Sequence, residues 1–289
     1  MAAVLGIGNA TLDIIHLVDH YPDENDEVRC CSRLQRCGGN TANTLIVLSQ
    51  LGVDCRWAGT LAGNAEGRLV ADGLTRYGID ISAAEWADAG CMPVSSVILS
   101  KQSGSRTITH FRDLPEYGFA AFTAIDLQPF DWLHFEGRNV ANVRQMLAAV
   151  RQDSPLLRCS LEVEKPREDI ESLFPLVDVL LFSRHYARSR GFSEPQALLR
   201  SVHAVCPGVD LFCAWGEAGA AALDRDGREY RNAAVTPAKV VDTLGAGDTF
   251  NAGIVSGYLE GMDIEVLLAR ACQLAGNKCG QEGLDGLTF

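Results

Sequence analysis

Along most of this 289-residue chain, short apolar runs rich in β-branched residues alternate with stretches of helical periodicity. A chain patterned this way folds as strand–helix–strand crossovers around a mostly parallel sheet, covered by helices on its faces. The pattern predicts strands at residues 4–8, 56–59, 133–136, 159–163, 179–182 and 211–215. It predicts helices at 41–51, with Gly52 as its C-terminal cap, and at 67–77, 140–150, 168–176, 195–205 and 268–280. The fold class expected is α/β in one domain spanning residues 1–289.

Two segments break the alternation. Residues 12–18 and 26–35 read as strands around a Tyr-Pro-Asp-Glu-Asn turn, and 94–100 and 106–111 as a hairpin around Gln102-Ser103-Gly104-Ser105. Hairpins of this kind lie outside a parallel central sheet.

The richest chemistry is in Asp-Thr-Leu-Gly-Ala-Gly-Asp-Thr-Phe-Asn, residues 242–251, which opens a helical pattern through Ile254, Val255, Tyr258 and Leu259. Gly245, Ala246 and Gly247 offer bare backbone N–H groups at a helix N-terminus, where the dipole adds positive potential and a phosphate can sit. Asp248 would be repelled by that anion. Its placement makes sense if it takes a proton from a hydroxyl attacking phosphorus. A glycine turn followed by an ordinary acid in a helix's first turn fits the bare spacing equally well.

The longer string resembles the signature of the ribokinase-like, or PfkB, sugar kinases. Arg-Cys-Gly-Gly-Asn-Thr-Ala-Asn at 36–43 is similar to that family's sugar-holding segment. Further stretches resemble its ketose-phosphorylating branch, the ketohexokinases: 17–22, 103–108, 134–139, 162–168, 213–215, 279–280 and 284–286. The resemblance spans nearly the whole chain. It implies a three-layer ribokinase-like fold with a small β-sheet lid formed by about 12–37 and 92–112, and a homodimer joined through that lid. It also implies ATP with Mg²⁺ as cofactor, and phosphorylation of a ketose, D-fructose to fructose 1-phosphate. Ribose, another ketose or a nucleoside as acceptor, and a non-catalytic sugar-binding protein, stay open as alternatives.

Asp13 stands among Leu12, Ile14 and Ile15, where an unpaired acid is costly. The resemblance assigns it to the sugar, with Gly39, Asn40 and Asn43; capping of the following helix would also account for Asn40. Arg106 matches a phosphate-clamping arginine, although an arginine after a Gly-Ser turn is commonly solvated. Gly216, Glu217, Ala218 and Gly219 follow a strand, as a nucleotide loop does. Asn277 and Gly280 are the adenine-side candidates, and a K⁺ ion is implied near Asp242 and Cys279. At 183–186 the chain has Ser-Arg-His-Tyr where many of these kinases carry Asn-x-x-Glu linked to Mg²⁺. The ketohexokinases also lack that pair. Arg184 is then expected at phosphate, and Glu162 or Glu164 in the Mg²⁺ shell.

Composition narrows the partners. Thirty-seven acidic against 25 basic residues give a formal charge of −12, which argues against nucleic acid or an anionic membrane. The ten cysteines form no Cys-x-x-Cys pair and no zinc spacing. With a strand pattern starting at once after Met1-Ala2-Ala3, they read as reduced thiols of a cytoplasmic protein.

Overall fold

The structure is a computed structural model that describes residues 2–102 and 105–289. Ser103 and Gly104 of the expected second hairpin turn lie outside the described residues.

The N-terminal third contains β1 (Ala3–Ile7), β2 (Thr11–Val18), β3 (Ser32–Gly38), α1 (Asn40–Gln50), β4 (Asp54–Ala58) and β5 (Thr60–Ala62). Then come α2 (Ala65–Thr75), β6 (Glu85–Ala87), β7 (Val94–Ser100), β8 (Arg106–Phe111) and α3 (Phe119–Phe122). The middle holds β9 (Trp132–Glu136), α4 (Val140–Asp153), β10 (Arg158–Val163), β11 (Val179–Ser183), α5 (Arg184–Ser189) and α6 (Pro195–Val205). The last part holds β12 (Asp210–Ala214), β13 (Ala220–Leu223), β14 (Glu229–Asn232), α7 (Ala246–Leu259) and α8 (Ile264–Cys279).

The large sheet runs β14-β13-β12-β11-β10-β9-β1-β4. It is parallel from β4 to β12 and antiparallel at β13 and β14. Its inner parallel strands are buried on both sides, and the period-2 geometry of a strand sends successive residues to opposite faces. Val4, Trp132, Val179 and Leu181 enter a core shared with residues of α1, α2, α7 and α8. Their neighbours Leu5, Leu133, Leu180 and Phe182 enter a second core with residues of α4, α5 and α6. The result is three layers: helices, sheet, helices.

The hairpin segments form a separate four-stranded sheet, β3-β2-β7-β8, in which β2 and β7 pair in parallel and so join the two halves. The strand expected at 26–35 is displaced to β3. Its ladder begins at Ser32 because β2 ends at Val18 and leaves residues 26–30 without a strand to pair with. The helix expected at 168–176 is instead a 3₁₀ turn, Ile170–Leu176. Pro175 lies inside it and lacks the N–H that an α-helical ladder requires.

Candidate active site

α7 begins where the phosphate-binding reading placed it. Gly245 caps the helix in the left-handed region at φ 84°, a conformation open to glycine at little cost, and Ala246 starts the helix. Beyond its own helix turn, a Cβ built on Gly247 would meet no atom of the described residues within 4 Å, so the space over the turn is open. Asp248 faces inward and is 8% exposed. Its Oδ2 accepts a 2.7 Å hydrogen bond from Asn43 Nδ2 of α1, and its carbonyl accepts from Thr44 Oγ1 at 3.3 Å. Two segments 205 residues apart in sequence therefore meet at one carboxylate. Burial pushes Asp248 up to about 8; the Asn43 bond opposes this, and the nearby Glu164, Glu136 and Asp13 add to it.

Asp13 sits in the small sheet, 5% exposed, and accepts from Thr11 Oγ1 at 2.8 Å. Burial raises it above the usual carboxylate range, with Thr11, Ser95 and Arg36 pulling the other way. Strand register lines up Arg36, Asp13, Ser95 and His110 in one row across β3, β2, β7 and β8. Sequence reading missed Ser95 and His110, because a serine and a histidine in an edge hairpin carry no motif; the period-2 register with Asp13 was the available signal. A Cβ on Gly38 would stand 2.1 Å from Asp13 Oδ2. Gly39 caps α1 at φ 102°, and a Cβ there would strike the Asn9 carbonyl at 2.5 Å. Backbone and carboxylate therefore close together around the start of α1.

Glu162 accepts from Asn251 Nδ2 at 3.1 Å through Oε1, and the neighbouring Asn40 side chain favours its charged form. Glu162 Oε2 is buried and has no hydrogen-bond partner among the described residues. Burial, then the neighbouring Asp248, Glu136 and Glu164, hold Glu162 well above its ordinary value. No group of three metal-ligating side chains occurs among the described residues. An orphan carboxylate oxygen beside the phosphate turn nevertheless suits Mg²⁺ of the kind held chiefly by phosphate and water.

A cleft of about 540 Å³ adjoins the turn. Arg106, Arg184, Gly216, Glu217, Gly219, Ala246 and Gly247 line it, which brings together most of the expected nucleotide residues. Arg106 donates to Thr243 Oγ1, and Arg184 donates to both Glu217 carboxylate oxygens at 2.8 and 2.9 Å. Ala218 belongs to the 3₁₀ turn Gly216–Ala218 but does not face the cleft. Asn277 and Gly280 are not among the residues that line it. Asn277 is exposed and accepts from Gln273, while Gly280 lies behind Pro237. Helical periodicity turns Cys272, Ala275, Gly276 and Cys279 toward the cleft instead. Tyr186 faces the core and bonds Glu171 at 2.9 Å, so this position contributes nothing to the cleft. A groove of about 630 Å³ between the 3₁₀ turn, α5 and α6 contains none of the expected residues.

The K⁺ expectation does not fit its residues. The Lys278 ammonium already contacts Asp242 Oδ2 and the Asp242 carbonyl, each at 2.9 Å, and Arg36 reaches the same carboxylate at 3.4 Å. The Cys279 carbonyl is taken by the Val241 N–H at 2.8 Å. Burial works against ionised Asp242, but Lys278, the Leu244 N–H and Arg36 more than offset it and hold the acid below its usual range.

Comparison with known proteins identifies the family. The family model described as pfkB family carbohydrate kinase matches residues 1–287. The chain belongs to the pfkB carbohydrate kinases. Its relatives in this family include the ketohexokinase of Mus musculus, 41% identical, with 98% of each chain covered. The pfkB fold recurs in a ribokinase of Arabidopsis thaliana solved with ribose and ATP (TM-score 0.79, 21% identity, 98% of this chain and 94% of that one). It recurs again in an adenosine kinase of Sinorhizobium meliloti (TM-score 0.82, 19% identity, 99% and 96%).

Proposed function

We propose that this pfkB kinase transfers the γ-phosphoryl group of ATP to the 1-hydroxyl of a ketose, D-fructose in the first place. Membership of the carbohydrate kinases makes it an ATP-dependent sugar kinase. The ketose comes from the likeness to a ketohexokinase over nearly the full length of both chains. The observation that carries the chemistry is the Asn43–Asp248 contact, which sets a sugar-reading helix against the acid at the phosphate turn.

In this reading Asp13, Gly39, Asn40 and Asn43 orient the sugar. The hydroxyl oxygen forms a bond to the γ-phosphorus as the bond to the ADP oxygen breaks, and the hydroxyl proton passes to Asp248. The N–H groups of Gly245, Ala246 and Gly247 face the developing charge, and Arg106, freed from Thr243, clamps the moving group. Arg184 and Gly216–Gly219 hold the rest of the nucleotide. Glu162 and Glu164 would hold Mg²⁺ together with the phosphates, and the ion when bound neutralises phosphate charge.

The chain works as one domain, the small sheet serving as a lid that excludes water. Dimerisation through that sheet is supported by the registered row Leu34, Ile15, Val97 and Ile108, whose outer members are 40% and 43% exposed. A monomer mass by sedimentation at micromolar concentration would remove the dimer. A cytoplasmic location rests on the free cysteines alone.

The decisive assay is ADP release across a panel of fructose, other ketoses, ribose and nucleosides. Fructose is expected to give the highest kcat/KM. A better ribose or nucleoside would overturn the acceptor, and fructose binding without ADP release would overturn the kinase reading.

Asp248 must be ionised to accept a proton. Because its carboxyl sits near 8 in the free protein, kcat/KM for the sugar should climb as pH rises from 6 to 8 and fall toward acid. A profile flat from pH 5 to 8 would contradict this base.

A further inference from the structure

We propose that the Lys278 ammonium is a built-in monovalent cation for the phosphate turn, occupying the place where an exchangeable K⁺ would otherwise sit beside Asp242. Lys278 comes from the last turn of α8, where a cation also complements the helix's C-terminal carbonyls. Its side chain is 0% exposed, and lysine is almost never buried to that degree unless paired. Its contacts are the Asp242 carboxylate at 2.9 Å, the Asp242 carbonyl at 2.9 Å and the Gln281 carbonyl at 3.5 Å. One carboxylate and two peptide oxygens converging on a point are hard donors of the kind a large monovalent ion selects.

The carboxylate oxygen that meets the ammonium has no capacity left for such an ion. Besides Lys278, the Asp242 carboxylate accepts from Arg36 at 3.4 Å, the Gly283 N–H at 3.2 Å and the Leu244 N–H at 2.8 Å. Lys278, Arg36 and the Gly283 N–H all converge on Oδ2, which exceeds that oxygen's two lone-pair directions, while Oδ1 holds the Leu244 N–H. A second cation would meet the ammonium and the guanidinium at contact range with little water to screen them.

The function of this cation follows from what it grips. Asp242 opens the string that turns through Thr243 and Leu244 into Gly245, and its own Oδ1 holds the Leu244 N–H. Fixing the Asp242 carbonyl and carboxylate together sets the direction in which the backbone enters α7. The Gly245–Gly247 amides are thereby aimed before any nucleotide arrives. Lys278 touches no substrate in this scheme, so it is a positioning residue.

The inference rests on the turn being the phosphate site, and its test has an arm independent of catalysis. Activity and melting temperature are measured in KCl, NaCl and choline chloride at one ionic strength, for the parent enzyme and for Lys278→Met. The parent is expected to keep kcat and KM for ATP within about twofold in all three salts. Lys278→Met should lose roughly 10- to 100-fold in kcat/KM for ATP in choline chloride, the range seen when groups that orient a site are removed. K⁺ or NH₄⁺ at tens of millimolar should restore most of that loss and raise the variant's melting temperature, with KM for the sugar unmoved. A parent enzyme that requires K⁺ overturns the proposal. So does a folded Lys278→Met that is fully active in choline chloride, or one that no cation restores. If the variant fails to fold, the parent's response to K⁺ decides alone. If no sugar yields ADP, the function reading fails instead, and the melting-temperature arm still reports on the cation.

Discussion

Asp248→Asn is expected to lower kcat by at least ~10²–10⁴-fold, the usual range for a lost general base, while KM for ATP changes little. Asparagine keeps the shape and can still receive the Asn43 amide hydrogen bond, so the change isolates proton acceptance. Stability gives an internal control. The folded protein holds a proton on Asp248 up to about pH 8, whereas the ordinary carboxyl value is 3.8. Between those values the folded state binds more protons than the unfolded one, so the parent loses stability as pH rises from 4 to 8. Asparagine escapes that loss. The variant should melt above the parent at pH 8, with the gap closing toward pH 4. Near-normal turnover would remove Asp248 from the chemistry, and a melting gap that is the same at pH 4 and pH 8 would contradict its buried protonation.

Asp13→Ala is expected to cut kcat/KM for the sugar by roughly 10²–10⁴-fold, because hydrogen bonds to a charged acceptor contribute about 1.5–3 kcal/mol each and a carboxylate can receive two. The loss should fall mainly on KM for the sugar and leave KM for ATP alone, since Asp13 belongs to the small sheet and the cleft along Gly216–Gly219 does not include it. The carboxylate is already desolvated, packed against Gly38 and partnered by Thr11, so little of the expected effect comes from reorganising it. A sugar KM within about twofold of the parent would show that the acid does not touch the acceptor.

The parallel core was readable because its strands are mostly apolar and its helices end in clear signals, as at Gly52 with φ 83°. The start of α7 was readable for a related reason: a left-handed cap followed by bare amides leaves glycine few substitutes. Reading failed where the outcome depended on partners distant in sequence. Residues 26–31 have strand-like composition but find no ladder, since β2 has already ended. Ser95 and His110 join the Asp13 row only through register, which no local pattern encodes. The resemblance gave a stretch of helix rather than a face of it, and Asn277 falls on the exposed face outside the cleft lining. Lys278, its immediate neighbour, points the opposite way into Asp242. A lone lysine near a chain's end reads as surface, and its burial follows from α8 packing beside α7.

The two sides of the reaction centre are drawn from different parts of the chain. In the proposed reading, acceptor-side groups come from residues 9–43 and 95–112, whereas the cleft on the donor side is built mostly from 183–279, with Arg106 reaching across. Discrete stitches such as Asn43–Asp248 and Arg36–Asp242 hold the parts together. This makes the enzyme modular in a way that favours divergence: the segments that recognise the alcohol can be rewritten while the machinery for delivering phosphate is inherited intact. One scaffold can thus serve fructose in one lineage and ribose or adenosine in another.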